Sequence, residues 1–357
     1  MKKKVRIGLI VAIILAVLYF LFWPAFPKPK GVFVAPQAPS LTGVYESNRL
    51  LQAVERFGDG YCLGPEDIAV DALGYIYAGM GDGRIMRLGI NGGNEELFVN
   101  TGGRPSGMAF DAVGNLIVAD SEKGLLSIAP DGIITLLTNE AGGRPIGLAN
   151  DLDIAEDGII YFSDYRYYSN NVSDFMDGRP LARLLAYDPR TRTTHVLVDG
   201  LYAANGVTLG PDDSYVLVNE MTAYRVTRYW LTGSNQGRTD IFIENLPGTP
   251  DNITFNGRDT YWLALYAPRS SAIEFLQARP VLRGILKPIP LLLIMVAAYD
   301  TRGYGFVLGL DLDGNVTHNL QDPSGKFASH VTSAYEYEGR LYLGNISDTA
   351  VYRIPAP

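Results

Sequence analysis

Short stretches of alternating apolar and polar residues recur along the chain, and a polar turn precedes each one. The copies are DALGYIYAG (71–79), DAVGNLIVAD (111–120), EDGIIYFSD (156–164), PDDSYVLVNE (211–220), NGRDTYWLA (256–264) and YEGRLYLGN (337–345). Alternation of this length predicts half-buried strands. The first five turns lie about 40 to 56 residues apart, and the sixth follows after about 81. Repeats near this length, with several short strands each, predict an all-β fold, a six-bladed β-propeller. The alternative is a sandwich, whose strands recur at closer spacing without this internal similarity.

The first 26 residues follow another pattern. Lys2, Lys3, Lys4 and Arg6 precede a nearly unbroken apolar run over residues 7–26. About 20 apolar residues span a bilayer as a helix, and flanking basic residues stay in the cytoplasm. Residues 1–26 are therefore predicted to be a single-pass membrane anchor, with the body periplasmic or at the cell surface. The alternative is a cleaved signal peptide, which would also export the body.

Two further segments lie outside the repeats. Residues 27–45 are rich in proline and predict an extended linker, which leaves 46–357 for the propeller. Residues 271–298 mix apolar and basic positions with prolines and predict a helical insertion. That insertion would form either a lid over the propeller or an amphipathic patch on the membrane.

Composition narrows the function classes. The 357 residues include 39 Gly, 21 Pro and only 19% charged residues, which is typical of a turn-rich β protein. The net charge is −8 and the folded part has no basic stripe, which argues against a nucleic-acid partner. Cys62 is the one cysteine, so an intramolecular disulfide is excluded and a buried thiol is expected.

Polar residues recur at one offset, seven to nine residues before the turns. These ring positions are Glu66, Ser106, Asn150, Asn205, the Asp251–Asn252 pair and Thr332. Asp and Asn are unfavourable in strands, yet an apolar strand follows each position. Because the innermost strands of a propeller run beside its central axis, residues at their starts converge on one point.

Oxygen ligands dominate this ring. Glu66, Asn150, Asn205, Asp251 and Asn252 supply carboxylate and amide oxygens without cysteine or histidine, which is the ligand set that calcium prefers. The alternative is that Asn and Asp only cap turns, but caps would not share one offset. Asp67 and Asp151 directly follow two ring residues, and they would hold a second, structural cation or form salt bridges.

An ordered set of motifs resembles a known family. It comprises GPEDIAVDALGYIYAG, RPSGMAFDAVGNLIVAD, LANDLDIAEDGIIYFSDY, LYAANGVTLGPDDSYVLVNE, YRVTRYWLTG and LPGTPDNITFN. Together they resemble the strictosidine synthase-like proteins, also called the adipocyte plasma membrane-associated protein-like family, over residues 50–355. The wider superfamily contains the serum paraoxonases, the gluconolactonases and diisopropylfluorophosphatase. The resemblance implies a six-bladed propeller with calcium in its tunnel.

The resemblance also implies roles for single residues. The ligands of the catalytic calcium in paraoxonases correspond to Glu66, Asn150, Asn205, Asp251 and Asn252, and those of the structural calcium correspond to Asp67 and Asp151, with the backbone oxygen of Met108 as a third candidate. Two positions depart from the family. Ser106 stands where paraoxonases carry a catalytic histidine, and Thr332 stands where strictosidine synthase carries its catalytic glutamate.

Three functions follow as expectations. The first is a calcium-dependent hydrolase of small-molecule esters or lactones, of the arylesterase or lactonase type. In it, Asp251 would activate water or attack directly, and His330 would either shuttle protons or serve only as a structural histidine. The second is a non-catalytic binding propeller that calcium stabilises. The third, a condensing enzyme of the strictosidine synthase type, is disfavoured because Thr332 replaces the glutamate.

Overall fold

The computed structural model describes residues 11–18, 32–165, 178–279 and 303–357, and the last three ranges form a six-bladed β-propeller. The predicted fold class is thus confirmed. The chain enters the propeller with β1 (Glu55–Phe57), which belongs to blade 6. Blade 1 contains β2 (Ile68–Val70), β3 (Tyr75–Gly79), β4 (Arg84–Gly89) and β5 (Glu96–Asn100). Blade 2 contains β6 (Pro105–Phe110), β7 (Leu116–Asp120), β8 (Gly124–Ile128) and β9 (Ile134–Thr138).

The remaining blades follow the same order from the axis outwards. A two-stranded ribbon, β10 (Glu140–Ala141) and β11 (Arg144–Pro145), precedes blade 3. Blade 3 contains β12 (Ala149–Ile154), β13 (Ile160–Asp164), β14 (Ala182–Asp188) and β15 (Thr193–Leu201). Blade 4 contains β16 (Ala204–Leu209), β17 (Tyr215–Glu220), β18 (Arg225–Trp230) and β19 (Thr239–Ile243). Blade 5 contains β20 (Gly248–Phe255), β21 (Tyr261–Pro268), β22 (Gly305–Leu310) and β23 (Val316–Asp322), and blade 6 contains β24 (Val331–Tyr337), β25 (Arg340–Asn345) and β26 (Val351–Pro355).

Blade 6 closes the propeller with strands from both ends of the described chain. β1 pairs antiparallel with β26, and Arg56 lies opposite Tyr352 in the register. The first strand is therefore the outermost strand of the last blade. This pairing joins the two ends of the circle and leaves no open edge between blades 6 and 1.

Aspartate turns connect the first two strands of several blades, where the sequence predicts them. In blade 1, Asp71 Oδ1 accepts the backbone N–H groups of Leu73 and Tyr75, at 2.9 and 2.8 Å. Gly74 has a φ of +82° in this turn, a conformation that glycine adopts without steric cost. Asp111 makes the equivalent turn in blade 2.

The core of the described chain consists of six apolar clusters, each between two neighbouring blades. Between blades 4 and 5, for example, Leu217 and Val226 pack with Leu263 and Leu308. Cys62 lies in the cluster between blades 6 and 1 and is 4% exposed, which confirms the expected buried thiol. Burial raises the pKa of Cys62 to about 12, so the thiol is unreactive near neutral pH.

Helices are few and short in the described residues. The 3-10 helices are Gly43–Tyr45, Leu50–Ala53, Pro211–Asp213 and Met221–Ala223. One α-helix spans Ser271–Gln277, and the side chain of Ser270 accepts the N–H of Ile273 at its start. This helix begins the predicted insertion 271–298, whose residues 280–298 lie outside the described part of the chain.

The described residues before β1 belong to the predicted anchor and linker. Residues 11–18 are helical, and in the described ranges no helix is long and apolar enough to cross a membrane. The rest of the predicted anchor lies outside those ranges. From residue 32 onwards the predicted linker packs on the propeller and ends in the 3-10 helix Gly43–Tyr45. Phe33 N–H donates to Gly178 O at 2.9 Å, and Leu41 and Tyr45 pack on the cluster between blades 4 and 5.

Candidate metal centre

The six innermost strands, β2, β6, β12, β16, β20 and β24, surround a central tunnel. Each contacts the innermost strand of the next blade, and β24 contacts β2. All six begin at the same end of the axis, called the tunnel mouth below. Five of the six predicted ring positions lie within two residues of the start of their innermost strand, and the Asp251–Asn252 pair lies near the middle of the longer β20, so the structure brings these residues to the tunnel-mouth end.

A β-bulge interrupts the strand at most of these positions. Ala149 lies opposite Asp164 but Leu152 lies opposite Phe162, so Asn150 and Asp151 fall within a shift of register. Equivalent shifts separate Ala204 from Val207, around Asn205, and Pro250 from Ile253, around Asp251 and Asn252. A bulge turns a side chain away from its ordinary alternation. Asn and Asp stand in strands here because the bulges release them from the ladder.

Three asparagine oxygens at the tunnel mouth are buried without a hydrogen-bond partner in the described residues. They are the Oδ1 atoms of Asn150, Asn205 and Asn252, and Asn252 Nδ2 has no partner either. Asn205 Nδ2 donates to Met221 Sδ at 3.1 Å, which leaves its oxygen as the unsatisfied atom. A buried polar atom without a partner costs roughly 1–3 kcal/mol. Buried amide oxygens without protein partners have the chemistry that a cation ligand requires.

Two buried carboxylates join the asparagines. Glu66 is 7% exposed and Asp251 is 4% exposed. Burial raises the pKa of Asp251 well above its ordinary value, and the charge of Glu66 raises it further. Among the residues that the structure describes, no group of three or more His, Cys, Asp and Glu side chains is spaced to hold a metal. The fit therefore depends on the amides, and two carboxylates with three amide oxygens suit a hard divalent cation such as calcium.

Asp67 and Asp151 bind backbone groups of the next blade. Asp67 Oδ2 accepts the N–H of Met108, and Asp151 Oδ2 accepts the N–H of Val207, both at 2.8 Å. Burial raises the pKa of both carboxyls, that of Asp67 to about 7. These contacts link blade 1 to blade 2 and blade 3 to blade 4. The second cation at this pair stays a prediction.

The two ring positions that depart from the family are also satisfied. Ser106 Oγ lies 2.6 Å from Ser121 Oγ, and Ser121 Oγ donates to Ala149 O at 3.2 Å. Thr332 is 1% exposed, and its Oγ1 donates to the backbone oxygen of Glu66 at 2.6 Å. Thr332 thus supports the backbone of Glu66 without adding a charge to the ring.

Replacing Thr332 by valine should lower the free energy of unfolding by about 1 kcal/mol, because the buried carbonyl of Glu66 loses its hydroxyl donor. Thr332→Ser keeps that donor and is the matched control. Urea denaturation of both variants measures the effect. Equal stability of the valine variant and the wild type would show that the hydroxyl contributes nothing.

Two residues at the tunnel mouth have no assigned role in the sequence analysis. Arg104 places Nε and Nη2 at 3.0 and 2.6 Å from Glu66 Oε2. Tyr266 is affected by the same carboxylates: burial raises its pKa to about 12, and the charges of Asp251 and Glu66 add to the shift. The sequence does mark Arg104, because the segment GGRP occurs twice, at 102–105 and at 142–145. In the first copy the arginine stands two residues before the ring position Ser106.

His330 lies at the tunnel mouth, just before β24. Its ring centroid is 4.9 Å from that of Tyr266, and its Nδ1 is 3.1 Å from Ser347 Oγ. Burial lowers the pKa of His330, so its neutral form is favoured at pH 7. His330 thus lies beside Tyr266, whose pKa is raised in part by the charge of Asp251. The role of His330 as a proton shuttle stays a prediction.

Two family profiles and several curated proteins are similar to this chain. The family profile described as "Strictosidine synthase" matches residues 150–234, and the profile "Strictosidine synthase-like, N-terminal" matches residues 43–88. Protein STRICTOSIDINE SYNTHASE-LIKE 6 of Arabidopsis thaliana is 37% identical over 324 residues, covering 86% of this chain and 83% of the relative. The adipocyte plasma membrane-associated protein of Danio rerio is 33% identical over 363 residues, covering 93% of this chain and 85% of the relative.

Solved structures share the fold at low identity. A gluconolactonase from Xanthomonas campestris superposes with a TM-score of 0.63 at 16% identity, covering 93% of this chain and 99% of the other. The calcium-binding protein regucalcin from Agrobacterium tumefaciens gives a TM-score of 0.58 at 13% identity, covering 84% of this chain and 92% of the other. At these identities the likeness concerns the propeller architecture alone.

Proposed function

The chain belongs to the strictosidine synthase-like family, and we propose that it is a calcium-dependent hydrolase of esters or lactones. The observation that carries the proposal is the ring at the tunnel mouth, where three buried asparagine oxygens without partners face two buried carboxylates. Structural neighbours whose names describe a gluconolactonase and a calcium-binding protein support the same direction.

The ring residues have separate roles in this proposal. Glu66, Asn150, Asn205, Asp251 and Asn252 would hold calcium, which when bound polarises a substrate carbonyl as a Lewis acid. Asp251 is the candidate to take a proton from water or to attack directly. The calcium charge would keep Asp251 ionised, although burial raises its pKa in the metal-free protein. Tyr266 and His330 would border the substrate on one side of the mouth.

The contacts of Thr332 argue against a condensing enzyme. The resemblance to strictosidine synthase implies a catalytic glutamate at this position, and here a buried hydroxyl donates to the backbone oxygen of Glu66 instead. The neighbouring position Ser333 is small and buried as well. We therefore retain hydrolysis as the proposed reaction.

A hydrolysis screen tests the proposal. Aryl esters and lactones of several ring sizes are incubated with the full-length protein in detergent, with calcium or with excess chelator. The proposal expects turnover that chelator abolishes and added calcium restores. Calcium binding without turnover of any substrate would favour the alternative, a non-catalytic binding propeller. Turnover that resists chelator would reject a calcium mechanism.

The proposal extends to location at a membrane. Residues 1–26 carry the apolar run, and a relative is an adipocyte plasma membrane-associated protein. Phe33 lies on the tunnel-mouth side, where its ring packs against Tyr202 with centroids 5.4 Å apart. The six residues after Phe26 span at most about 20 Å. An anchor at 1–26 would thus hold the tunnel mouth near the outer face of the membrane that the anchor spans.

We expect the protein in the membrane fraction with its propeller outside the cytoplasm, because basic residues precede the apolar run. Protease added to intact cells, or to cells with a permeabilised outer layer where one exists, should degrade the body. A cytoplasmic protein must survive the same treatment as a control. Full protection of the body would reverse the proposed topology.

A further inference from the structure

We propose that Arg104 is an internal counter-cation that competes with calcium for Glu66 and so weakens calcium binding at the ring. The proposal rests on the calcium site proposed above. It is suggested by the position of the guanidinium. The structure places this positive charge on a carboxylate of the ring, where it would repel a metal ion.

The geometry of the pair shows that Glu66 is already charge-neutralised. Both Nε and Nη2 of Arg104 donate to the same oxygen, Glu66 Oε2, at 3.0 and 2.6 Å. The Glu66 side chain is 9% exposed and that of Arg104 is 40% exposed. The carboxylate is therefore fixed in the ring, while the guanidinium approaches from the solvent side.

Arg104 cannot remove its repulsion of calcium by losing its proton. Arginine stays protonated in proteins, so a calcium ion at Glu66 would stand beside a permanent positive charge. Calcium must therefore either displace the guanidinium or bind against its repulsion.

The fold leaves the Arg104 side chain room to move. The N–H of Arg104 donates to Asp120 Oδ1 at 3.0 Å and holds the backbone in place, and the side chain is 40% exposed, so it can turn away from Glu66 towards solvent. In the metal-free protein, Arg104 stabilises the buried negative charge of Glu66. With calcium bound, that stabilisation is lost, and the loss weakens the measured affinity.

The chain supplies a matched control. Arg144 occupies the same place in the second GGRP segment, and its Nη2 pairs with Asp199 Oδ2 at 2.6 Å among exposed residues. Asp199 lies on the outermost strand of blade 3, away from the ring. Removing Arg144 therefore removes a similar arginine without changing the charges at the tunnel mouth.

The test measures calcium affinity by calorimetry and the melting temperature in chelator, using the full-length protein in detergent. Arg104→Ala should tighten calcium binding about tenfold, which is the size expected for one nearby like charge, and should lower the melting temperature in chelator. Arg104→Lys keeps the charge and should keep an affinity near that of the wild type. Arg144→Ala should leave the calcium affinity unchanged.

The opposite sign overturns the proposal. Weaker or unchanged calcium binding by Arg104→Ala would show that the guanidinium orients Glu66 for the metal or has no influence on it. A wild-type protein that binds no calcium would reject the metal centre and this proposal together. Calcium binding by the wild type with no gain in Arg104→Ala would reject this proposal alone.

Discussion

Calcium-dependent hydrolysis by the Asp251→Asn variant is expected to fall on the order of a hundredfold or more in kcat/KM. The substitution keeps the shape of a buried side chain but removes a negative charge from the ring and removes the candidate base or nucleophile. Because Glu66 and three asparagines remain, we expect weaker calcium binding rather than its complete loss. The measurement is steady-state turnover of the best ester or lactone, at calcium concentrations that saturate the variant.

Asp153→Asn is the matched control for this variant. Asp153 lies further down the same innermost strand as the ring residue Asn150, and its Oδ2 accepts the N–H of Leu209 at 2.8 Å. Asp153 Oδ1 also accepts the N–H of Ile154 at 2.8 Å, so asparagine keeps one of these two bonds and loses the other. The variant should therefore be less stable than the wild type, while the turnover of its folded fraction should stay near the wild-type rate because Asp153 is not a ring residue. Near wild-type turnover by Asp251→Asn itself would remove Asp251 from the mechanism.

Removal of calcium should lower the free energy of unfolding by about 3 kcal/mol when the ion was present at one hundred times its dissociation constant. For a domain of this size the melting temperature would fall by roughly 5 °C. The physical reason is that the buried asparagine oxygens and the carboxylates of Glu66 and Asp251 lose their common partner. Thermal melts in calcium and in chelator measure the difference, with magnesium as the ionic control.

The Asn252→Leu variant tests whether Asn252 is a metal ligand or only fills space in the core. Both polar atoms of the Asn252 side chain are buried without a partner in the described residues, so an apolar side chain of similar size should not destabilise the metal-free protein. The same variant should gain less stability from calcium than the wild type does. An Asn252→Leu protein that responds to calcium like the wild type would exclude Asn252 from the site.

The repeated turns and the shared offset made much of this arrangement predictable. A turn such as that of Asp71 and Gly74 has a local sequence signal, because the carboxylate and the left-handed glycine are both required there. Counting back from the turns located the ring because every blade has the same height. Residues at equal height on six strands around one axis must meet, and no knowledge of side-chain packing is needed to see it.

Other features depend on contacts between distant parts of the chain. The bulges at Asn150, Asn205 and Asp251 are shifts between paired strands, and one strand alone does not reveal them. The pairing of β1 with β26 joins positions about 300 residues apart. Arg104 is a surface-like residue by type, and only the fold shows that it reaches Glu66 in the neighbouring blade.

A crystal structure of the full-length protein grown in calcium, with anomalous scattering used to identify the ion, would show directly whether the ring binds calcium. We expect one calcium at the tunnel mouth, about 2.3–2.6 Å from oxygens of Glu66, Asn150, Asn205, Asp251 and Asn252. Arg104 should then have left its position on Glu66 Oε2. A tunnel mouth that holds only water at saturating calcium, with Arg104 still on Glu66, would contradict the account.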